Sequence, residues 1–411
     1  MKKIVLVLTV FGLLTVFVAS ATTFWLRTSL PITNGLITVD GLAAPVTVTR
    51  DVYGIPHIKG ESQTDVYFGL GFVHAQDRMW QMETARRAGA GRLSEIFGKT
   101  TLNADKYLRG LGFYHAAKAS LHHYEKASRA LIEAYATGIN AYLASHKGPL
   151  PLEFLVFRHQ PELWTAADSV VSAKMMSQKL GANADAELMR HQLAQQLTPS
   201  QLSELWPSYP GNPPRPLEEV KALPGAPALI EAVLAALPPT ATGKVGSNNW
   251  VVDGRHTQTG KPLLANDPHL GLSAPSPWYI AHLSAPNLNV AGATLPGIPI
   301  IIVGRNEALA WGITNTGPDV QDFFVEKTVE NDPTRYMTPH GTAAFHKRTE
   351  TIRVKDSPNV SMEIRETRHG PVISDASAPH ANAISNDEAL ALAWTALSHN
   401  DTTLQAGFRL A

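Results

Sequence analysis

The sequence contains no cysteine in 411 residues, which removes disulfides, thiolate chemistry and every cysteine-based metal centre. Neither charge is in excess: Lys+Arg and Asp+Glu are equal at 35 each, so no overall field points to nucleic acid or an anionic surface. Charge is also sparse, at 17% against 44% hydrophobic residues, a balance that suits two or more packed domains and excludes a disordered chain. Standard signatures are missing as well. There is no G-x-S-x-G elbow, no Walker phosphate loop, no H-E-x-x-H and no G-x-G-x-x-G after a strand, which sets aside the commonest hydrolase, nucleotide-binding and zinc-protease readings.

What is present begins with a long apolar run. Met1-Lys2-Lys3 precedes it, it extends from Ile4 to about Leu26, and Ala19-Ser20-Ala21 offers an A-x-A cleavage site. Residues 1–26 therefore read as a signal peptide or as a retained membrane anchor with Arg27 on the far side. An exported protein without cysteine fits a bacterial periplasm, free or anchored to the inner membrane and facing it.

Short apolar alternations at Ile37-Thr38-Val39, Val46-Thr47-Val48 and around Gly54-Ile55-Pro56-His57-Ile58 predict strands. Thr64 and Asp65 predict a helix start, with Val66, Leu70 and Val73 as its apolar stripe and an end at Arg87. A loop and short helix closed by Gly98 should follow, then a helix from Ala127 to Ser145 and another opened by the capping box of Thr165 and Asp168. That helix should pass Met175 and Met176, with more helix from Ala184 to Leu197. Residues 27–205 thus form a mostly helical region.

Proline density over 206–246 cannot continue a helix or enter a central strand, so this segment reads as a linker or spacer with one helical stretch at Ala226 to Leu237. From Ser247 to the end, 247–411, strands dominate: Trp250 to Val252, Pro262 to Leu264, Trp278 to Leu283, Val290 to Thr294, Ile298 to Val303, Leu309 to Thr314, Phe323 to Val329, and more within Thr351 to Ser374. Helices first and strands second imply an α+β or layered sandwich, not a doubly wound sheet.

Gly246-Ser247-Asn248-Asn249-Trp250-Val251-Val252 follows the spacer directly. A serine hydroxyl needs a base, and an N-terminal α-amine, with an ordinary pKa of about 7.7–8.0, is a base poised near neutral pH. Cleavage before Ser247 would place both groups on one residue, and the small Gly246 leaves room for the hydroxyl to reach its carbonyl. Gly-Ser-Asn ahead of a strand is also ordinary turn chemistry, and the residues by themselves do not separate the two readings.

This stretch, with Leu264-Ala265-Asn266-Asp267-Pro268-His269-Leu270, resembles the start of the β-chain in the penicillin acylase family of N-terminal nucleophile hydrolases. Arg50 to Ile58 and Gly69 to Met82 are similar to the family's α-chain opening, and the match runs from about residue 40 to the end. The resemblance implies an αββα four-layer sandwich with a helical α-chain region, incomplete at the C-terminus because the family's second oxyanion donor lies beyond Ala411. The stretch alone is then expected to show little activity.

By the same resemblance Ser247 is the nucleophile, the Gly246–Ser247 bond is the cleavage site, and His269 orients the amine or leaving group. The backbone N–H of Asn315 aligns with an oxyanion donor. Asp319, Gln321 and Asp322 resemble the family's calcium loop, with Glu187 as the α-chain carboxylate that completes it; taken alone they are turn residues and solvated charges. The calcium would be structural, and no organic cofactor is expected. Leu270, Val303 and Ile313 align with the acyl pocket, closed by Met176 and Leu180. Each is equally at home as plain core, and the aliphatic set suits a flexible aliphatic acyl chain.

The implied function is an exported, self-cleaving amidase, a heterodimer of α- and β-chains from one precursor, acting on a small N-acyl amide. Acyl-homoserine lactones, β-lactam side chains and other acylated amines, lipopeptides and siderophore precursors among them, are the candidate substrates. The competing reading is an unprocessed, membrane-anchored binding or scaffold protein of the same fold.

Overall fold

The computed structural model describes residues 2–181, 183, 184, 187, 197–205, 246–376 and 384–411. The expected spacer therefore lies outside the described residues apart from Gly246, as do its helical stretch at Ala226 to Leu237 and most of the helix expected from Ala184 to Leu197.

The first helix, α1 (Lys2–Arg27), exposes large apolar side chains from Ile4 to Trp25 and is long and apolar enough to cross a membrane, a property that signal sequences share. No strand forms at Ile37–Val39. Gly35 and Gly41, at φ 100° and 101°, turn the chain on either side and leave too short an extended run to pair. Strands β1 (Thr47–Arg50) and β2 (Pro56–Lys59) form an antiparallel hairpin.

Helix α2 (Gln63–Gly89) begins one residue before the predicted start at Thr64, because the Ser62 hydroxyl accepts the Asp65 N–H at 3.1 Å and caps it. Val66, Leu70 and Val73 are at most 1% exposed, as the stripe requires. The helix breaks at Arg78 (φ −140°, ψ 22°), whose guanidinium reaches the Ser276 carbonyl at 3.2 Å. Then come α3 (Ser94–Phe97), α4 (Leu102–Leu111), α5 (Phe113–Ser120), α6 (Lys126–Ser145), α7 (Leu152–Val156) and α8 (Ala166–Leu180). The Thr165/Asp168 capping box opens α8 as predicted. The pair α4 and α5 was not predicted: Gly112, at φ 77°, turns the chain between two helices too short for a clear period.

Helices α2 and α6 touch backbone to backbone. A Cβ on Gly71 would lie 2.0 Å from the Tyr135 carbonyl oxygen, and one on Gly138 would lie 1.9 Å from that of Phe68. Beyond the break at Arg78, Glu83 is fully buried and is held by Arg86, by Arg87 at 2.5 Å and by His159 at 2.7 Å. Burial raises the Glu83 pKa and these partners outweigh it, so the net shift is downward and the buried group stays a carboxylate.

After the spacer, β3 (Gly246–Val252) and β4 (Leu263–His269) make a two-stranded hairpin. Strands β5 (Tyr279–Ala285), β6 (Leu288–Leu295), β7 (Ile298–Arg305) and β8 (Ala310–Trp311) then build a six-stranded sheet in the order β1-β2-β5-β6-β7-β8. Only β2 and β5 run parallel, so strands from before the spacer are built into the sheet that follows it. The inner faces of β5 to β7 pack on α2 and α6 through Tyr67, Leu70, Tyr135, Ile139, Leu283, Val290 and Ile301.

A second sheet, ordered β11-β10-β9-β15, is formed by β9 (Gln321–Val329), β10 (Asp332–Thr338), β11 (Gly341–Ala344) and β15 (Glu388–Trp394). Three further strands, β12 (His346–Ile352), β13 (Val360–Thr367) and β14 (Gly370–Pro371), form a small third sheet. Strand β15 was not predicted, because its buried Ala389-Leu390-Ala391-Leu392 run lacks alternation and reads equally as helix. Leu390, Leu392 and Trp394 join Phe113, Val170 and Val171 in a second core that seats α5 and α8. The architecture is α+β, as expected.

Candidate active site

The hairpin β3–β4 sets Gly246 opposite His269 and Ser247 opposite Pro268. The Ser247 hydroxyl donates to the Gly246 carbonyl at 2.6 Å, so it lies against the peptide bond that precedes its own residue. His269 Nε2 lies 2.8 Å from Asp267 Oδ2, which fixes the ring by a carboxylate two residues back. Its Nδ1 lies 3.4 Å from the point where a Gly246 Cβ would stand, so the other ring nitrogen faces the Gly246 end of β3.

Asn266 ties this hairpin to the six-stranded sheet. Its Oδ1 accepts the Ile313 N–H at 3.1 Å, and its Nδ2 donates to the Ile313 and Asn248 carbonyls, both at 2.9 Å. Strand β8 is consequently two residues long, shorter than the predicted Leu309 to Thr314, since a side chain takes the Ile313 backbone that a strand partner would take. Gly312 allows this approach: a Cβ there would lie 2.9 Å from Asn266 Cβ. The residue after Ile313, Thr314, donates its hydroxyl to the Ser247 carbonyl at 3.4 Å. Asn315, predicted as a backbone oxyanion donor, follows in the same segment, and its side-chain Nδ2 donates to the Leu180 carbonyl at 2.8 Å.

The C-terminal turn of α8 meets this site from the other side. Lys179 Nζ donates to the Leu270 carbonyl at 2.7 Å, and burial pushes the Lys179 pKa below its ordinary value. Of the pocket residues expected, Leu180 and Leu270 are thus held beside the hairpin by their backbones. Met176 packs against the second core, Val303 lies on β7 opposite Ala293, and Ile313 is 42% exposed.

Asn183 carries the junction further. Its Oδ1 accepts the Val320 and Gln321 N–H groups at 3.2 and 3.0 Å, and its Nδ2 donates to Asp319 Oδ1 at 2.8 Å and to the Gln321 carbonyl at 2.6 Å. Glu187, Asp319 and Asp322 each bring a carboxylate oxygen to within 4.8 Å of the others. Three clustered carboxylate oxygens match the hard-donor preference of calcium. Gln321, predicted in this set with a carbonyl between the two carboxylates, accepts Asn183 Nδ2 on its backbone carbonyl at 2.6 Å, and its buried side-chain Oε1 accepts the Ala184 N–H at 3.3 Å.

Asn183, Lys179 and Asn266 were missed as functional residues. Asn266 stood inside the quoted Leu264 to Leu270 stretch, and Asn183 precedes Glu187 by four residues, a spacing that puts both on one helix face.

A family model described as penicillin amidase matches residues 45–411. The acyl-homoserine lactone acylase QuiP of Pseudomonas aeruginosa is 32% identical over 366 residues, which are 87% of this chain and 43% of that protein. The penicillin acylase 2 proenzyme of Pseudomonas sp. is 33% identical over 368 residues, 85% of this chain and 46% of that one. The chain spans about half the length of the curated relatives it matches. Among solved structures, a thermostable penicillin G acylase from Alcaligenes faecalis in tetragonal form is 29% identical, covers 42% of this chain and 96% of its own, and has a TM-score of 0.36.

Proposed function

The chain belongs to the penicillin amidase family, and from that premise we propose that it is an exported, self-processing acylase that hydrolyses the amide of a small N-acyl substrate through Ser247. The observation that carries this reading is the 2.6 Å contact between the Ser247 hydroxyl and the Gly246 carbonyl. In processing, Oγ adds to the Gly246 carbonyl carbon and the C–N bond breaks. The hydroxyl proton goes to the departing nitrogen, and water hydrolyses the resulting ester. The products are a Gly246 carboxylate and a Ser247 that carries both a hydroxyl and a free α-amine.

In turnover that amine takes the Oγ proton as Oγ adds to the substrate carbonyl, and the proton then passes to the departing amine. The acyl group stays on Oγ as an ester until water releases it as a carboxylic acid. His269, held by Asp267 and paired with Gly246, orients the freed amine. The Asn315 N–H stabilises the oxyanion in part; loss of one such donor costs a factor of about 10² to 10³.

Glu187, Asp319 and Asp322 would hold a structural calcium ion, which would help keep the α- and β-chains together after the cut. Met176, Leu180, Leu270, Val303 and Ile313 shape an aliphatic acyl pocket. The substrate is an acyl-homoserine lactone, a β-lactam with an acyl side chain, or a related acylated amine. Residues 1–26 direct the protein to the periplasm, where they are removed or remain as an inner-membrane anchor.

Intact-mass measurement of the purified protein tests the reading. Two chains are expected, one beginning at Ser247, and Ser247→Ala should abolish both the cut and turnover. A single unprocessed chain from the complete wild-type gene product overturns it. A series of N-acyl substrates of increasing chain length then identifies the acyl group.

A further inference from the structure

We infer that His57 and His282 form a binding site for a borderline divalent transition-metal ion, of the zinc, nickel or copper(II) type, on the six-stranded sheet. The two residues face each other on the parallel neighbours β2 and β5, one before and one after the spacer. Their Nδ1 atoms lie 3.0 Å apart, with the rings edge to face at 88°.

The surrounding hydrogen bonds decide which nitrogens are free. Asn289 Nδ2 donates to Glu307 Oε1 at 2.9 Å, which turns its Oδ1 toward His282. That oxygen lies 2.8 Å from His282 Nε2 and can only accept, so the His282 proton sits on Nε2. The Nδ1 lone pair of the neutral ring is then aimed at His57. On the other side His57 Nε2 lies 3.9 Å from Asp51 Oδ2, while Asp51 Oδ1 accepts the Tyr53 and Ile55 N–H groups, both at 2.9 Å. The carboxylate is therefore fixed in place by its own turn.

In the present arrangement the two rings share a proton between their Nδ1 atoms. Moving the His57 proton to Nε2 leaves both Nδ1 lone pairs for an ion, with the far nitrogen of His282 hydrogen-bonded to Asn289 and that of His57 3.9 Å from the Asp51 carboxylate. Metal-bound histidines are oriented in this way, by acceptors on the nitrogen that does not bind. Two nitrogens bound tetrahedrally at 2.0–2.1 Å stand about 3.4 Å apart, so the nitrogens need to separate by a few tenths of an ångström and each ring needs to turn so that its lone pair meets an ion off the line between them. An imidazole pair selects zinc, nickel or copper(II) over calcium or magnesium. The His57 side chain is 46% exposed, which leaves room for water to complete the coordination. Neither histidine belongs to the Ser247 hairpin or to the Glu187, Asp319 and Asp322 cluster. If the chain is cut before Ser247 as proposed, the ion would also link the two products, but the site does not depend on that cut.

The test is a titration of the purified, calcium-saturated protein with zinc alone, in competition with a chromophoric chelator. One zinc equivalent that calcium does not displace is expected. His57→Asn and His282→Asn should each weaken it by at least roughly 10-fold, and Asn289→Ala by roughly 10- to 100-fold. Unchanged zinc affinity in both histidine variants overturns the site. Should those variants fail to fold, the wild type with one equivalent of copper(II) decides by electron paramagnetic resonance. Coupling to two imidazole nitrogens is expected, and coupling to fewer overturns the proposal.

Discussion

Asn266 holds Ile313 by both backbone groups, accepting its N–H at 3.1 Å and donating to its carbonyl at 2.9 Å. A side chain thereby takes the place of a strand partner and fastens the Ser247 hairpin to the sheet. Asn266→Ala removes both bonds and the one to Asn248, and leaves the backbone groups without that partner. The expected cost is about 1–3 kcal/mol, read as a fall in melting temperature, together with slower cutting before Ser247 followed by intact mass. Unchanged processing in a folded variant would show that Ser247 does not need this tether.

Calcium should stabilise the protein through Glu187, Asp319 and Asp322. An ion at 100 times its dissociation constant contributes about 2.7 kcal/mol, so calcium should raise the unfolding midpoint and a chelator should lower it. Asp319→Asn and Asp322→Asn should each abolish most of the response. A melting curve indifferent to calcium would remove the ion from the account.

Gly138 lets α6 lie directly on α2, with its missing Cβ 1.9 Å from the Phe68 carbonyl oxygen. Alanine normally favours a helix over glycine by about 1 kcal/mol. Here Gly138→Ala should instead destabilise by about 1–3 kcal/mol or more, because backbone rather than a flexible side chain must move. Denaturant unfolding measures the sign, and a stabilised variant would contradict the close crossing.

Acid should weaken the fold in two stages. His74 is fully buried, with Nδ1 2.7 Å from the Tyr135 hydroxyl and Nε2 2.9 Å from Thr294 Oγ1. Burial, with Arg78 adding to it, pushes its pKa down to about 3 from 6.5. Between those values the unfolded chain binds a proton that the folded chain refuses. The His74 contribution is therefore complete above about pH 6.5 and is lost as pH falls toward 3, by at most about 1.4 kcal/mol per pH unit. Glu350 adds a second loss at lower pH. Burial opposes its ionisation, but His115 and Arg109 outweigh it and hold the pKa at about 2 against 4.5. Its contribution is present above 4.5 and disappears toward 2. Urea midpoints measured from pH 7.5 to 4 should fall below 6.5, and a folded His74→Gln variant should show a shallower decline.

Much of the helical framework was legible because its signals are local. The Thr165/Asp168 box announces α8, and Val66, Leu70 and Val73 mark the buried side of α2. Strand β15 was not legible, since a continuous buried run carries no period and only its pairing with β9 makes it a strand. The candidate site divided in the same manner. Ser247 and His269 were named from two short stretches, 246–252 and 264–270, whereas Lys179 and Asn183 act on backbone atoms about 91 and 138 residues away, a pairing no local pattern encodes.

Composition alone excludes disulfide and thiolate chemistry, and the order of motifs resembles the family that the penicillin amidase match over residues 45–411 shows. Local sequence could do this because capping, helical stripes and the Gly246–Ser247 pair depend on neighbours within a few residues. Tertiary structure decided what those residues meet: Asn266 against Ile313, His57 against His282, and three carboxylates drawn together from both sides of the spacer. These contacts arise only when the sheet and the helices pack, because packing, not chain order, sets the distance between groups far apart in sequence.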